Sequence, residues 1–257
     1  DFVIPAHQGR AAENVLFGTL IESGDRVPFN MPFDTTLSHI NLNGGRVVEC
    51  LIEEGYELQK NYPFKGNVDT EKLERVIGKN EGRIPFVMVT ITNNTGGGQP
   101  VSMENLREVR RITAMHGLPL YLDAARCVEN AYFVQQREQG YRNRSIADIL
   151  LETFSYADGC TFSAKKDPMM NIGGLVALRD ERVYRALLPR LVIYEGFSTY
   201  GGLSGRDVEC LAQSLYEMRD ERYVSSRVKQ VEYLGKKIKS EGIDVVNPFG
   251  GHAVFVD

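Results

Sequence analysis

Residues 84–92 constrain the fold more than any other stretch. Pro85-Phe86-Val87-Met88-Val89-Thr90-Ile91 is almost continuously apolar and rich in β-branched side chains. A strand with one wet face alternates polar and apolar residues, so an unbroken apolar run calls for cover on both faces. That cover is a layer of helices on each side of a parallel sheet. Shorter runs at 2–5, 26–30, 46–51, 118–122 and 156–162 read as further strands, separated by helical text at 11–21, after Met31, and at 70–77, 103–116, 128–139 and 146–156. Asp69 and Ser145 stand where caps are needed. The alternation predicts an α/β architecture of three layers, a mostly parallel sheet with helices on both faces.

Parallel strands bring their carboxyl ends to one edge, so the residues at those ends carry most information about function. The run at 156–162 delivers Ser163-Ala164-Lys165-Lys166-Asp167, and the strand at 118–122 delivers Asp123-Ala124-Ala125-Arg126. A lysine pair is usually solvated; if one amine is partly desolvated instead, it can condense with an aldehyde. Asp123 either caps the next helix or faces something cationic, such as a protonated ring nitrogen. Gln8-Gly9-Arg10 opens the first helix, where a capping turn and an anion site are both open readings. Phe33 precedes the second helix and either packs in the core or lies on a flat ligand. Gly96-Gly97-Gly98 lacks the Gly-Lys-Ser/Thr of a nucleoside triphosphate loop.

A net charge of −4 over 257 residues gives no broad basic field, which speaks against nucleic acid or an anionic membrane as the main partner. The 4 cysteines form no Cys-x-x-Cys pair, as expected in a reducing compartment, and cytoplasm is the expected location. No apolar run approaches the roughly 20 residues of a membrane span.

Five blocks, in order, resemble the β-eliminating lyases, the family of tryptophanase and tyrosine phenol-lyase: Pro5-Ala6-His7-Gln8-Gly9-Arg10, Gly97-Gly98-Gln99-Pro100-Val101-Ser102, Arg126-Cys127-Val128-Glu129-Asn130-Ala131-Tyr132-Phe133, Ser163-Ala164-Lys165-Lys166-Asp167 and Tyr200-Gly201-Gly202-Leu203. The resemblance implies the large domain of a fold-type I pyridoxal 5'-phosphate enzyme. It implies that Lys166 bonds the cofactor as a Schiff base, with Lys165 as a supporting neighbour and Asp123 as partner of the pyridine nitrogen. Gly9, Arg10 and Ser163 match phosphate ligands with Gln8 beside them, and Phe33 matches the stacked ring. Asn94 and Arg126 match residues near the cofactor's phenolic oxygen and the substrate carboxylate. Asn171 matches a backbone carbonyl donor to a potassium or ammonium ion.

The implied reaction is β-elimination of an aromatic L-amino acid, giving indole or phenol with pyruvate and ammonia. Asp34 directly after Phe33, and Phe197 after Glu195-Gly196, resemble tryptophanases, whereas Cys127-Val128-Glu129 resembles the phenol-lyases; the expectation favours tryptophan. Family members are tetramers with shared sites, so a homo-oligomer is expected. The family also has an N-terminal segment with a catalytic Tyr and a cation-binding Glu, and a C-terminal domain with an Arg for the substrate carboxylate. Residues 1–257 are therefore expected to be a large domain taken from a longer chain, inactive alone, with 205–257 as a helical exit towards a further domain. Residues 244–248 and 253–256 are expected to begin a strand pair. The rival expectation is a non-catalytic binding fragment in which the lysine strand is structural.

Overall fold

A computed structural model describes residues 2–197 and 199–257, leaving outside Asp1 and Ser198, the latter within 195–202, which the sequence reads as a glycine-rich loop. The sheet has strands β1 (Phe2–Ala6), β2 (Arg26–Phe29), β3 (Arg46–Glu49), β4 (Val87–Thr90), β5 (Leu120–Asp123), β6 (Gly159–Ser163) and β7 (Gly174–Leu178). Its order is β1-β7-β6-β5-β4-β2-β3. Among the described strands β7 alone runs against the common direction, pairing antiparallel with both β1 and β6. The mostly parallel, three-layer architecture is the one expected.

The helices are α1 (Gly9–Leu20), α2 (Asp34–Leu42), α3 (Thr70–Lys79), α4 (Met103–Met115), α5 (Cys127–Arg137), α6 (Ile146–Ser155), α7 (Glu181–Tyr194), α8 (Gly205–Glu217) and α9 (Glu221–Ser240). Successive strand residues face opposite sides, so the central strands feed two cores. Val87 and Val89 of β4 and Leu120 and Leu122 of β5 pack with α3–α6, α8 and α9. Met88 and Tyr121 turn the other way, onto α1 and α7. Continuous burial of β4 is why its sequence shows no polar alternation. Both expected caps form: Asp69 accepts from the Lys72 N–H at 2.8 Å, and Ser145 from the Asp148 N–H at 3.1 Å.

Helix α6 and strand β6 do not meet at Tyr156 as the sequence reading has them: Tyr156 closes α6 and β6 opens at Gly159, while residues 191–194 finish α7. The stretch 205–240 is two helices, with Asp220 capping the second through the Arg222 N–H at 2.9 Å. Helix α9 lies back on the domain and buries Val224 and Val228 in its core. The strand pair expected at 244–248 and 253–256 is reduced to a single bridge, Val245 to Val256. The backbone of Asn247 is engaged elsewhere. Its N–H donates to Leu58 O at 2.8 Å, and its carbonyl accepts from the buried Lys65 ammonium at 2.7 Å. That ammonium also donates to the carbonyls of Glu57, Leu58 and Lys60, which satisfies a charge buried without a carboxylate.

Candidate active site

Three parallel strands end side by side in Thr90, Asp123 and Ser163, and the N-terminus of α1 abuts them. Between these ends and the segment bearing Phe33 lies a cavity of about 210 Å³. Gln8, Gly9, Arg10, Phe33, Asn94, Asp123, Arg126, Ser163 and Lys166, expected from the sequence to hold one ligand, all line it, and Lys165 joins them. Gly9 permits the approach: a Cβ there would sit 2.7 Å from Ser163 Cβ. Helix geometry leaves the first N–H groups of α1 without intrahelical acceptors, and no acidic side chain occupies that turn. With Arg10 and Ser163 beside it, this corner has the donor set of a phosphate cradle.

Opposite the cradle, the Asp123 carboxyl accepts from the Ala125 N–H at 3.2 Å. Burial raises its pKa above the ordinary carboxylate value, against the opposing effects of that N–H, Arg126 and Lys166. A cation arriving here would relieve this cost. Lys166 stands at the cavity mouth, its pKa lowered first by partial desolvation, then by Arg126 and Lys165, with Asp123 opposing. Lys165 donates to Gln8 Oε1 at 3.0 Å, which ties the lysine turn to the α1 entrance. The Thr90 hydroxyl, also at the cavity wall, is buried without a hydrogen-bond partner. An amine prone to lose its proton, a carboxyl lacking a cation, an anion cradle and an aromatic ring fit pyridoxal phosphate part by part.

Behind the cavity lies a buried ionic network. Asp167, next to Lys166, accepts from the Val128 and Glu129 N–H groups at 2.7 and 3.1 Å and from Arg227 at 2.7 Å. Arg227 also donates to Glu129 at 3.2 Å. Glu129 meets His252 Nδ1 at 2.8 Å, and His252 Nε2 is 2.7 Å from Asn94 Oδ1. His252 thus links Glu129 to the cavity-lining Asn94.

Three expected residues lie outside the cavity. Asp34 is exposed as the first residue of α2. Phe197 stacks on Tyr200 with ring centroids 4.8 Å apart, along a separate apolar groove. Asn171 is exposed on the β6–β7 connection, where the chain is held instead by the Gly173 N–H to His7 O bond of 2.7 Å. Sequence reasoning missed Glu13, Thr35, Thr90 and Thr161 in the cavity wall. A Glu one turn after Gly9-Arg10 could have been noticed, since i and i+4 share a helix face.

The sequence model of the family described as beta-eliminating lyase matches residues 1–253. The chain is 49% identical over 257 residues to a tyrosine phenol-lyase from Symbiobacterium sp., covering 100% of this chain and 56% of that protein. It is equally 49% identical, over 255 residues, to a tryptophanase from Hyphomonas neptunium, covering 99% of this chain and 56% of that protein. The chain thus spans about half the length of the curated relatives it matches. Among solved structures, Bna3p from Saccharomyces cerevisiae superposes with a TM-score of 0.70 at 19% identity, covering 99% of this chain and 58% of that one. A SepCysS–SepCysE N-terminal domain complex superposes with a TM-score of 0.66 at 16% identity, covering 96% and 62% respectively.

Proposed function

Because the chain belongs to the β-eliminating lyase family, we propose that it forms the pyridoxal phosphate site of a lyase that cleaves an aromatic L-amino acid. The substrate in this reading is L-tryptophan, which with water gives indole, pyruvate and ammonia. One observation carries it: residues from separate stretches converge on a single cavity with Lys166 and Asp123 both in its wall.

Bound pyridoxal phosphate would supply an aldehyde for the amine and a ring that takes up the electron pair left at Cα. The chain's own residues do the rest. Gly9, Arg10 and Ser163 would hold the phosphate and Phe33 would cover the ring; Asp123 would hold a proton at the ring nitrogen. Lys166, its pKa lowered by desolvation and neighbouring cations, would take the α-proton. Arg126 and Asn94 orient the oxygen groups of cofactor and substrate. A monovalent cation at the Asn171 carbonyl, a tetrameric assembly and a cytoplasmic location belong to this same reading. Exposed apolar side chains such as Val3, Ile193 and Tyr200 support association. Among the described residues no helix is long and apolar enough to cross a membrane.

Tyrosine is the second reading, favoured by Cys127-Val128-Glu129; Asp34 after Phe33 favours tryptophan. Assaying the full-length protein with each amino acid for indole, phenol and pyruvate separates the two. A protein that takes up the cofactor, is fixed to it by borohydride through Lys166, and releases indole meets the proposal. Equal borohydride labelling of K166A would sink it.

A further inference from the structure

Glu13 lines the cavity, yet nothing in the chemistry above uses it. It lies on α1 one turn beyond Gly9 and Arg10, and its side chain is buried, with 5% exposed. Its Oε2 accepts from the Thr35 hydroxyl at 2.8 Å, and its Oε1 accepts from the Thr36 hydroxyl. Those threonines open α2, immediately after Phe33 and Asp34. One carboxyl therefore joins the helix that frames the phosphate cradle to the segment that carries the ring.

Joining two helices does not require an acid. A glutamine could accept from one threonine and donate to the other without the cost of burying a charge. The surroundings give the charge a use. Across the cavity, β5 contributes Asp123, Arg10 stands on the same helix, and Arg126, Lys165 and Lys166 face the same space. On its other side, α1 is tied to α7 by Arg190, which donates to Asn14 O at 2.8 Å. Burial first, then the Asp123 charge, push the Glu13 carboxyl up to about 7, so it changes charge near neutrality.

We propose that Glu13 is a positioning residue with two separable duties: it fastens Thr35 and Thr36, and with them Phe33, to α1, and its negative charge stabilises the protonated groups held between Asp123 and Lys166. The inference rests on the reading of the cavity as a pyridoxal phosphate site. The two duties should respond to different substitutions. E13Q keeps the hydroxyl contacts and removes the charge at every pH; T36V removes a contact and, because that hydroxyl helps hold the Glu13 carboxyl's pKa down, keeps the full charge only well above neutrality.

The test uses the full-length protein, titrated with pyridoxal phosphate and followed by visible absorbance across pH 5.5–9. Removing a nearby negative charge disfavours protonated forms, so E13Q should move the pH midpoint of the bound cofactor's absorbance down by roughly half a unit or more. T36V should move that midpoint less than E13Q does and, at pH 9 where Glu13 is ionised, raise the cofactor Kd by roughly threefold to tenfold. Melting of the cofactor-free proteins is the control, and E13Q should melt no lower than wild type at pH 8. Thr35 is half-buried, so T35V replaces T36V if the latter fails to fold. An unshifted midpoint in E13Q, or wild-type affinity in the threonine variant, overturns the inference while wild-type binding leaves the functional reading standing. Wild type that takes up no cofactor overturns both.

Discussion

Arg227 donates to the buried carboxylate of Asp167 at 2.7 Å, and Asp167 directly follows Lys166 in the chain. The same guanidinium reaches Glu129, so one cation on α9 answers two carboxylates that are 1% and 0% exposed. The turn carrying Lys166 is thereby anchored on both sides. The helix α5 N–H groups hold Asp167 from one direction and Arg227 from the other. A lysine that must reach one point in a cavity gains from a neighbour that cannot move.

R227M should cost about 3 kcal/mol or more, since it leaves two buried carboxylates without their cation. Urea unfolding of the full-length protein measures this. Unpaired buried acids relieve themselves by taking up protons, so the deficit should be larger at pH 8 than at pH 5. A variant as stable as wild type at both pH values would show that the pairing is not what holds α9 in place.

Glu13 makes stability depend on pH in a defined window. The unfolded side chain ionises near 4.5 and the folded one near 7, so between these values the folded state holds a proton that the unfolded state has released. Its contribution is fully present below pH 4.5 and is lost as pH rises to 7, a change on the order of 3 kcal/mol. E13Q should flatten the stability profile across this interval, as read by urea unfolding at closely spaced pH. Parallel profiles for the two proteins would refute it.

G9A should separate α1 from the end of β6, because the added methyl would lie 2.7 Å from Ser163 Cβ and 3.3 Å from Ser163 Cα. Overpacking of this kind costs roughly 1–3 kcal/mol. Part of it should appear as weaker cofactor binding, about tenfold by absorbance titration. Unchanged affinity in G9A would mean that the cradle does not depend on this approach.

D34T tests the substrate preference. Replacing the acid after Phe33 should lower kcat/KM for tryptophan relative to tyrosine by roughly tenfold, measured as indole against phenol release. An unchanged ratio would place the discrimination elsewhere, consistent with Asp34 being exposed outside the cavity.

Much of the fold was legible because its signals are local. The unbroken apolar run of β4 announces two helical layers, Asp69 and Ser145 mark helix starts, and Asp123 and Ser163 sit where strands stop. Strand ends in a parallel sheet share one edge, so the residues that line the cavity could be gathered before their positions were known. The resemblance assigned their roles, including those of Asn171, Asp34 and Phe197, which the structure leaves outside the cavity. The strand pair expected near the C-terminus stops after one bridge because the Val246 N–H donates to Phe255 O and the next ladder donor falls on Pro248, which has no N–H.

By itself the sequence determined the layers, the order of elements and the parts delivered to the sheet edge, because backbone periodicity and capping act over a few residues. Only the tertiary structure decided which acids share a space. Glu13 meets Thr35 and Thr36 across 22 and 23 residues, and Asp167 meets Arg227 across 60. Those pairings depend on how helices rotate as they pack, and burial then sets where each carboxyl holds its proton.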